Sequence, residues 1–169
     1  MAVRFTRADF KRLPEGFPAQ LIGGMLVKEA CPTSGHQLFA GRLYGQLVSL
    51  VGHGRAIHAP QDVGIDEWNV FQPDLLVVRQ TPSLDAHDVG IPMLAVEVLS
   101  PTTARRDRGV KTRRLLNAGT VEVWLVDPIA KTVEVHDAAG IRSAAGNERL
   151  SSNAVPGFEV VPSKLFEPP

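Results

Sequence analysis

Three continuous apolar runs constrain this chain most: "PDLLVV" at 73–78, "MLAVEVL" at 93–99 and "VEVWLVDP" at 121–128. Each has strand length, and each stays apolar at successive positions instead of alternating. A strand wetted on one side alternates; a run apolar throughout fits a sheet covered on both faces. Between the second and third runs, "TTARRDRGVKTRRLLNAG" reads as a helix. Ser100, Thr102 or Thr103 can cap it, Pro101 comes early, and Gly119 marks the stop. Strand, helix and strand over 93–127 form a βαβ unit. The class is therefore mixed α/β, one central sheet flanked by helices. The 169 residues suit a single domain, 1–169, with a full core.

The rest of the chain adds elements around that sheet. Thr6 can cap a short helix through "RADFKRL", stopped by Pro14. "LIGGMLVKEA" has two apolar arms around Gly23-Gly24, the signal of an N-terminal hairpin. "TSGHQLFAGRLYGQLVSLVG" is apolar at helical spacing, with Thr33 or Ser34 as cap and Gly52 as stop. "RAIHAPQDVGI" reads as one irregular strand, and "TPSLDAHDVGIP" as a loop punctuated by Pro and Gly. "KTVEVHDAAG" starts a hairpin, and "NAVPGFEVVPSKLF" reads as a closing strand and a turn.

Glu97 stands in the middle of the second apolar run. A carboxylate there is costly to bury alone, so it needs a partner, a proton or a metal. Asp74 opens the neighbouring run. Two carboxylates on adjacent strands can hold a hard cation such as Mg²⁺ or Mn²⁺, which takes oxygen ligands and keeps several waters. Asp107 and Lys111 follow at i and i+4 on the helix, hence on one face. A lysine near such a site can orient a water or offset developing negative charge. Each residue also has a plainer reading. Asp74 after Pro73 can be a turn former. Glu97 can pair with an arginine, and Asp107–Lys111 is an ordinary helix pair worth ~0.3–0.5 kcal/mol. The basic run Arg105, Arg106, Arg108, Lys111, Arg113, Arg114 can be a solvated helix face.

Composition removes several other classes. Eighteen basic residues offset eighteen acidic ones, so any basic surface must be local. Cys31 is the single cysteine, which excludes an internal disulfide and a cysteine-based zinc site; it lacks an evident base partner. The five histidines show no paired ligand spacing. Asp62 and Asp66 flank Gly64 and read as loop aspartates before extra metal ligands. No run approaches the ~18 apolar residues of a membrane span. The first residues have no long apolar segment, so a cytoplasmic protein without a signal peptide is expected.

The order "QPDLLVV", "LAVEVLSPTT", "DRGVK", "NAGTVEVWLVDP", "VPGFEVV" resembles the Uma-type family of endonucleases, within the PD-(D/E)xK, restriction-endonuclease-like superfamily. The resemblance runs from "TRADFKRLPEGFP" to "SKLF". It implies a restriction-endonuclease-like mixed sheet with the N-terminal hairpin as an extension. It also implies Mg²⁺- or Mn²⁺-dependent phosphodiester hydrolysis, with Asp74 and Glu97 as metal ligands. The superfamily lysine stands two residues after the glutamate, where this chain has Leu99. The Uma-type pattern places it on the next helix, at Lys111, with Asp107 one turn earlier and His36 matching a histidine at the start of the long helix. Two departures are Gln20, where the family often has an acid, and Leu115, where it often has a tyrosine.

The expected activity is in-line cleavage of DNA, with RNA as a second candidate, and Arg105, Arg106 and Arg108 on phosphates. Cutting two strands would need two sites, which implies a homodimer about a two-fold axis. The first alternative is a non-catalytic nuclease-fold module binding nucleic acid or a protein partner. The second is a hydrolase using the two carboxylates as acid and base, as glycosidases do; aromatics at 6% speak against sugar binding.

Overall fold

A computed structural model describes residues 4–14 and 16–169. The expectation about the first residues of the chain falls partly on 1–3, outside the described residues. The three apolar runs form β6 (Leu75–Val77), β7 (Leu94–Val98) and β8 (Glu122–Asp127), adjacent in one six-stranded sheet. Its order is β10-β9-β8-β7-β6-β3, with β3 at Ala56–His58, β9 at Thr132–Asp137 and β10 at Gly140–Ala145. β7 and β8 run parallel, and the other neighbours run antiparallel, so the sheet is mixed.

Side chains of successive strand residues point to opposite faces, and both faces are covered. One face carries Leu75, Val77, Leu94, Val96, Val98, Trp124 and Val126. Helix α2 (Ser34–Val51) packs there through Ala40, Leu43 and Leu47. The other face carries Leu76, Ala95, Leu99, Val123 and Leu125, packed against Leu115, Val63 and Phe71. This two-sided burial is why the runs do not alternate.

α2 begins and ends as its sequence dictates. The Thr33 hydroxyl accepts the His36 N–H at 3.2 Å, and Gly52 closes the helix at φ 81°. Helix α1 is only Arg7–Phe10, but Thr6 and Asp9 make a complete capping box. The hairpin of β1 (Ala19–Ile22) and β2 (Met25–Lys28) turns on Gly23 and Gly24, both at positive φ.

Two expectations need correction. "RAIHAPQDVGI" is not one strand but two: β3 joins the large sheet, and β4 (Val63–Asp66) joins a second. Pro60 lies between them and has no N–H to donate to a ladder. The second sheet, order β2-β1-β5-β4, contains the N-terminal hairpin, outside the large sheet. Its strand β5 (Asn69–Phe71) spans only three residues, too few for a periodic signal. The helix after Ser100 is also not continuous. It comprises α3 (Ala104–Arg106), a π-helical turn at Asp107–Lys111, and α4 (Thr112–Ala118). Thr103 precedes it but makes no side-chain cap bond, and Gly119 ends it in the left-handed region. The chain closes with a ribbon of β11 (Leu150–Ser151) and β12 (Glu159–Val160), then helix α5 (Pro162–Leu165).

Candidate functional site

The β6–β7 register decides where the two acidic residues meet. Leu75 pairs with Val96 and Leu76 with Ala95, so the same antiparallel register carried one residue further sets Asp74 opposite Glu97. Directly opposed residues on one face have Cβ atoms ~4.5–5.5 Å apart. Asp74 is held there from two sides. Its Oδ2 accepts the Val98 N–H at 2.7 Å and lies 3.2 Å from His36 Nε2. Contact with Asp74 holds the His36 imidazole above its usual range, against the opposing effect of burial.

Glu97 and Lys111 are both buried, and Lys111 Nζ lies 2.6 Å from Glu97 Oε1. The ammonium is also 3.5 Å from Asp107 Oδ1 and 6.0 Å from the centre of the Phe71 ring. The π turn presents this pair to the sheet. The Thr112 N–H closes the wide turn on the Asp107 carbonyl, the Thr112 hydroxyl donates to the same oxygen at 2.6 Å, and Asp107 and Lys111 are both buried in the turn. π-turns inside α-helices occur frequently at functional sites.

Asp74, Glu97 and Asp107 gather around the Lys111 ammonium and the His36 imidazole, with the Arg106 guanidinium 3.7 Å from Asp107. Burial holds the Glu97 carboxyl well above its usual range; Lys111 opposes this, while Asp107 and Asp74 add to it. Burial pulls the Lys111 ammonium down, but Glu97 and Asp107 outweigh it and hold the group above its usual value.

Among the described residues, no group of three or more His, Cys, Asp or Glu side chains is arranged as a metal cage. A hard cation does not need one, since Mg²⁺ is commonly bound through one or two carboxylates and keeps several waters. The donor chemistry fits such an ion. Asp74 faces Glu97, and Glu97 Oε1 and Asp107 Oδ1 are buried in the same cluster, each in ion contact with Lys111. Asp74, Glu97, Asp107, Lys111 and His36 all line one groove of about 2000 Å³.

The other sequence-derived candidates lie elsewhere. Arg108 pairs with Asp127 and Glu134 at 2.9 and 3.0 Å, tying the π turn to β8 and β9. Arg106 pairs with Glu29 at 2.9 Å. Of the three arginines, only Arg105 is exposed and without an ion pair among the described residues. Leu99 is buried in the apolar layer. Glu97 pairs with Lys111, not with an arginine. Asp62 accepts from Gln72 at 2.8 Å, and Asp66 accepts the Trp68 N–H and the Asn69 amide within its turn. Trp124 is core, and Cys31 is exposed.

Sequence reasoning missed two features. Gln20 is buried, donates to Glu29 at 3.0 Å and accepts the Gln72 N–H at 2.9 Å, linking the second sheet to the groove. Glu122 is wholly buried at the start of β8, in a network with Trp124, Arg142, Ser152 and Asn153. Glu122 carried a signal like that of Glu97, an acid within an apolar run, but near its start.

A mixed sheet with opposed carboxylates at a strand end and a buried lysine on the next helix has the architecture of a restriction-endonuclease-like nuclease. Residues 7–163 match the Uma2 family, described as "Putative restriction endonuclease", and the chain belongs to that family. The fold is also similar to a crystal structure from Anabaena variabilis, titled as a "putative nuclease belonging to DUF820". That likeness has a TM-score of 0.82 at 20% identity, over 96% of this chain and 97% of the other. A comparison with curated proteins gave no match.

Proposed function

We propose that the chain is an endonuclease that hydrolyses phosphodiester bonds in DNA with Mg²⁺ or Mn²⁺, using Asp74, Glu97 and Lys111. The observation that carries this reading is the opposition of Asp74 and Glu97 across β6–β7, with the buried Lys111 ammonium 2.6 Å from Glu97. Family membership and the nuclease-like fold support it. When bound, a hard divalent cation lowers the pKa of a water and offsets charge on the phosphate in flight. The chain supplies the rest. Asp74 and Glu97 offer carboxylate oxygens on rigid strands. Lys111 brings a fixed positive charge that needs no reorganisation as negative charge develops. Asp107 steers that ammonium. Arg105 is the arginine free to meet a phosphate. Cleavage of both strands would use a homodimer.

Leu99 favours a second reading, a non-catalytic module that binds nucleic acid or protein, because it fills the usual lysine position of the superfamily with an apolar side chain. Incubation of plasmid DNA, and separately of RNA, with Mg²⁺, Mn²⁺ or EDTA distinguishes the two. The nuclease reading expects metal-dependent cleavage that Lys111→Ala and Glu97→Gln abolish. Nucleic-acid binding with no cleavage in any metal supports the module.

A further inference from the structure

The stripe along α2 contains one residue that core packing does not explain. His36, Ala40, Leu43 and Leu47 stand at i, i+4, i+7 and i+11, the spacing of one helix face. The last three pack on the sheet, whereas His36, in the first turn, lies at the strand end that carries Asp74.

We infer that His36 is a positioning residue that fixes which oxygen of Asp74 faces the groove. The inference rests on the metal-dependent reading above. Asp74 Oδ2 is occupied twice, by the Val98 N–H at 2.7 Å and by His36 Nε2 at 3.2 Å. Oδ1 receives no donor among the described residues. The Val98 hydrogen bond and the His36 contact, both on Oδ2, restrict the carboxylate to one orientation and leave the other oxygen for an ion. His36 is not itself suited to be a ligand. Its Nε2 is committed to Asp74, and its Nδ1 is enclosed with no hydrogen-bond partner among the described residues. The ring is in turn placed by the helix, because its backbone N–H is one of the donors that Thr33 caps. The sequence Thr33–His36 thus starts the helix and orients the carboxylate with the same turn. Partners that orient a metal-binding group are typically worth 10–100-fold in metal affinity.

The test is calorimetric titration of the full chain with Mn²⁺ alone, with melting in EDTA as the structural control. His36→Ala removes the donor. His36→Asn retains an amide too short to reach and replaces the alanine variant if that one does not fold. His36→Gln puts an amide nitrogen where the ring Nε2 stood. The expected result is Mn²⁺ affinity lowered 10–100-fold in His36→Ala and His36→Asn, near wild type in His36→Gln, with EDTA melts unchanged. Unaltered affinity in His36→Ala or His36→Asn overturns the inference. So does a His36→Gln variant as weak as His36→Ala. A wild-type chain that binds no Mn²⁺ overturns the metal reading itself, a failure visible before any variant is compared.

Discussion

Glu122 is the residue on which stability should depend most sharply. Its carboxylate is wholly buried, and four donors converge on it. Oε2 accepts from Trp124 Nε1 at 3.1 Å and from the Ser152 hydroxyl at 2.5 Å. Oε1 accepts from the Asn153 N–H at 2.9 Å and from Arg142 at 3.1 Å. The network joins β8 to β10 and to the segment after β11. In Glu122→Ala the Arg142 side chain, 40% exposed, can return to water. The indole N–H and the Ser152 hydroxyl cannot, since both are buried. Each stranded donor costs about 1–3 kcal/mol. Breaking a buried charged pair costs about 3–5 kcal/mol in total. For a chain of this length that corresponds to a melting temperature lower by roughly 6–20 °C. Urea unfolding, followed by circular dichroism and by the fluorescence of Trp124, measures the change. Ser152→Ala should cost about 1–3 kcal/mol, since it removes one donor to Glu122 and strands the buried Val155 N–H that the hydroxyl accepts at 2.9 Å. A Glu122→Ala variant within 1 kcal/mol of wild type would refute the reasoning, because water would then be replacing all four partners.

Three further outcomes follow from other contacts. Lys111→Met should destabilise the metal-free protein by about 3–5 kcal/mol in denaturant titration, because Glu97 and Asp107 would be left buried without their cation; an unchanged midpoint would contradict the geometry of this pair. Thr112→Val removes the second hydrogen bond on the Asp107 carbonyl of the π turn, so it should cost about 1 kcal/mol but lower cleavage more than that loss explains, and unchanged turnover would show that this bond does not help place Lys111. Asp88 accepts from the Gly64 and Gly90 N–H groups and from Arg7, which together outweigh burial and hold its carboxyl below the usual range. Its stabilisation is therefore complete above the unfolded value of about 3.9 and lost as pH falls through the lower folded value. The stability difference between wild type and Asp88→Asn should be constant near neutrality and shrink below about pH 4; a difference that grows in acid would reverse the assignment.

The large sheet was legible because burial on both faces leaves strand-length runs that are apolar at most positions, at 73–78, 93–99 and 121–128. The caps Thr6 and Thr33 and the stops Gly52 and Gly119 were legible because their chemistry is local. The second sheet was not. β4 and β5 are short, and β1, which pairs with β5, lies some fifty residues earlier, so no local pattern joins the N-terminal hairpin to them. Glu97 announced itself as an acid in an apolar run, and the register that sets it against Asp74 follows from strand pairing. The π turn and the Asp74–His36 contact depend on tertiary placement alone. The arginine run shows the limit of reading charge from sequence: Arg106 and Arg108 turn inward to Glu29, Asp127 and Glu134.

The central claim is that Asp74 and Glu97 serve one cation. A crystal structure of the full chain grown with Mn²⁺, with the ion located by its anomalous signal, tests it most directly. The account predicts a single peak with oxygens of both Asp74 and Glu97 within about 2.0–2.6 Å, and Lys111 Nζ facing the same cluster. A peak that touches neither carboxylate, or no peak at saturating Mn²⁺ with Lys111 still paired to Glu97, would contradict it.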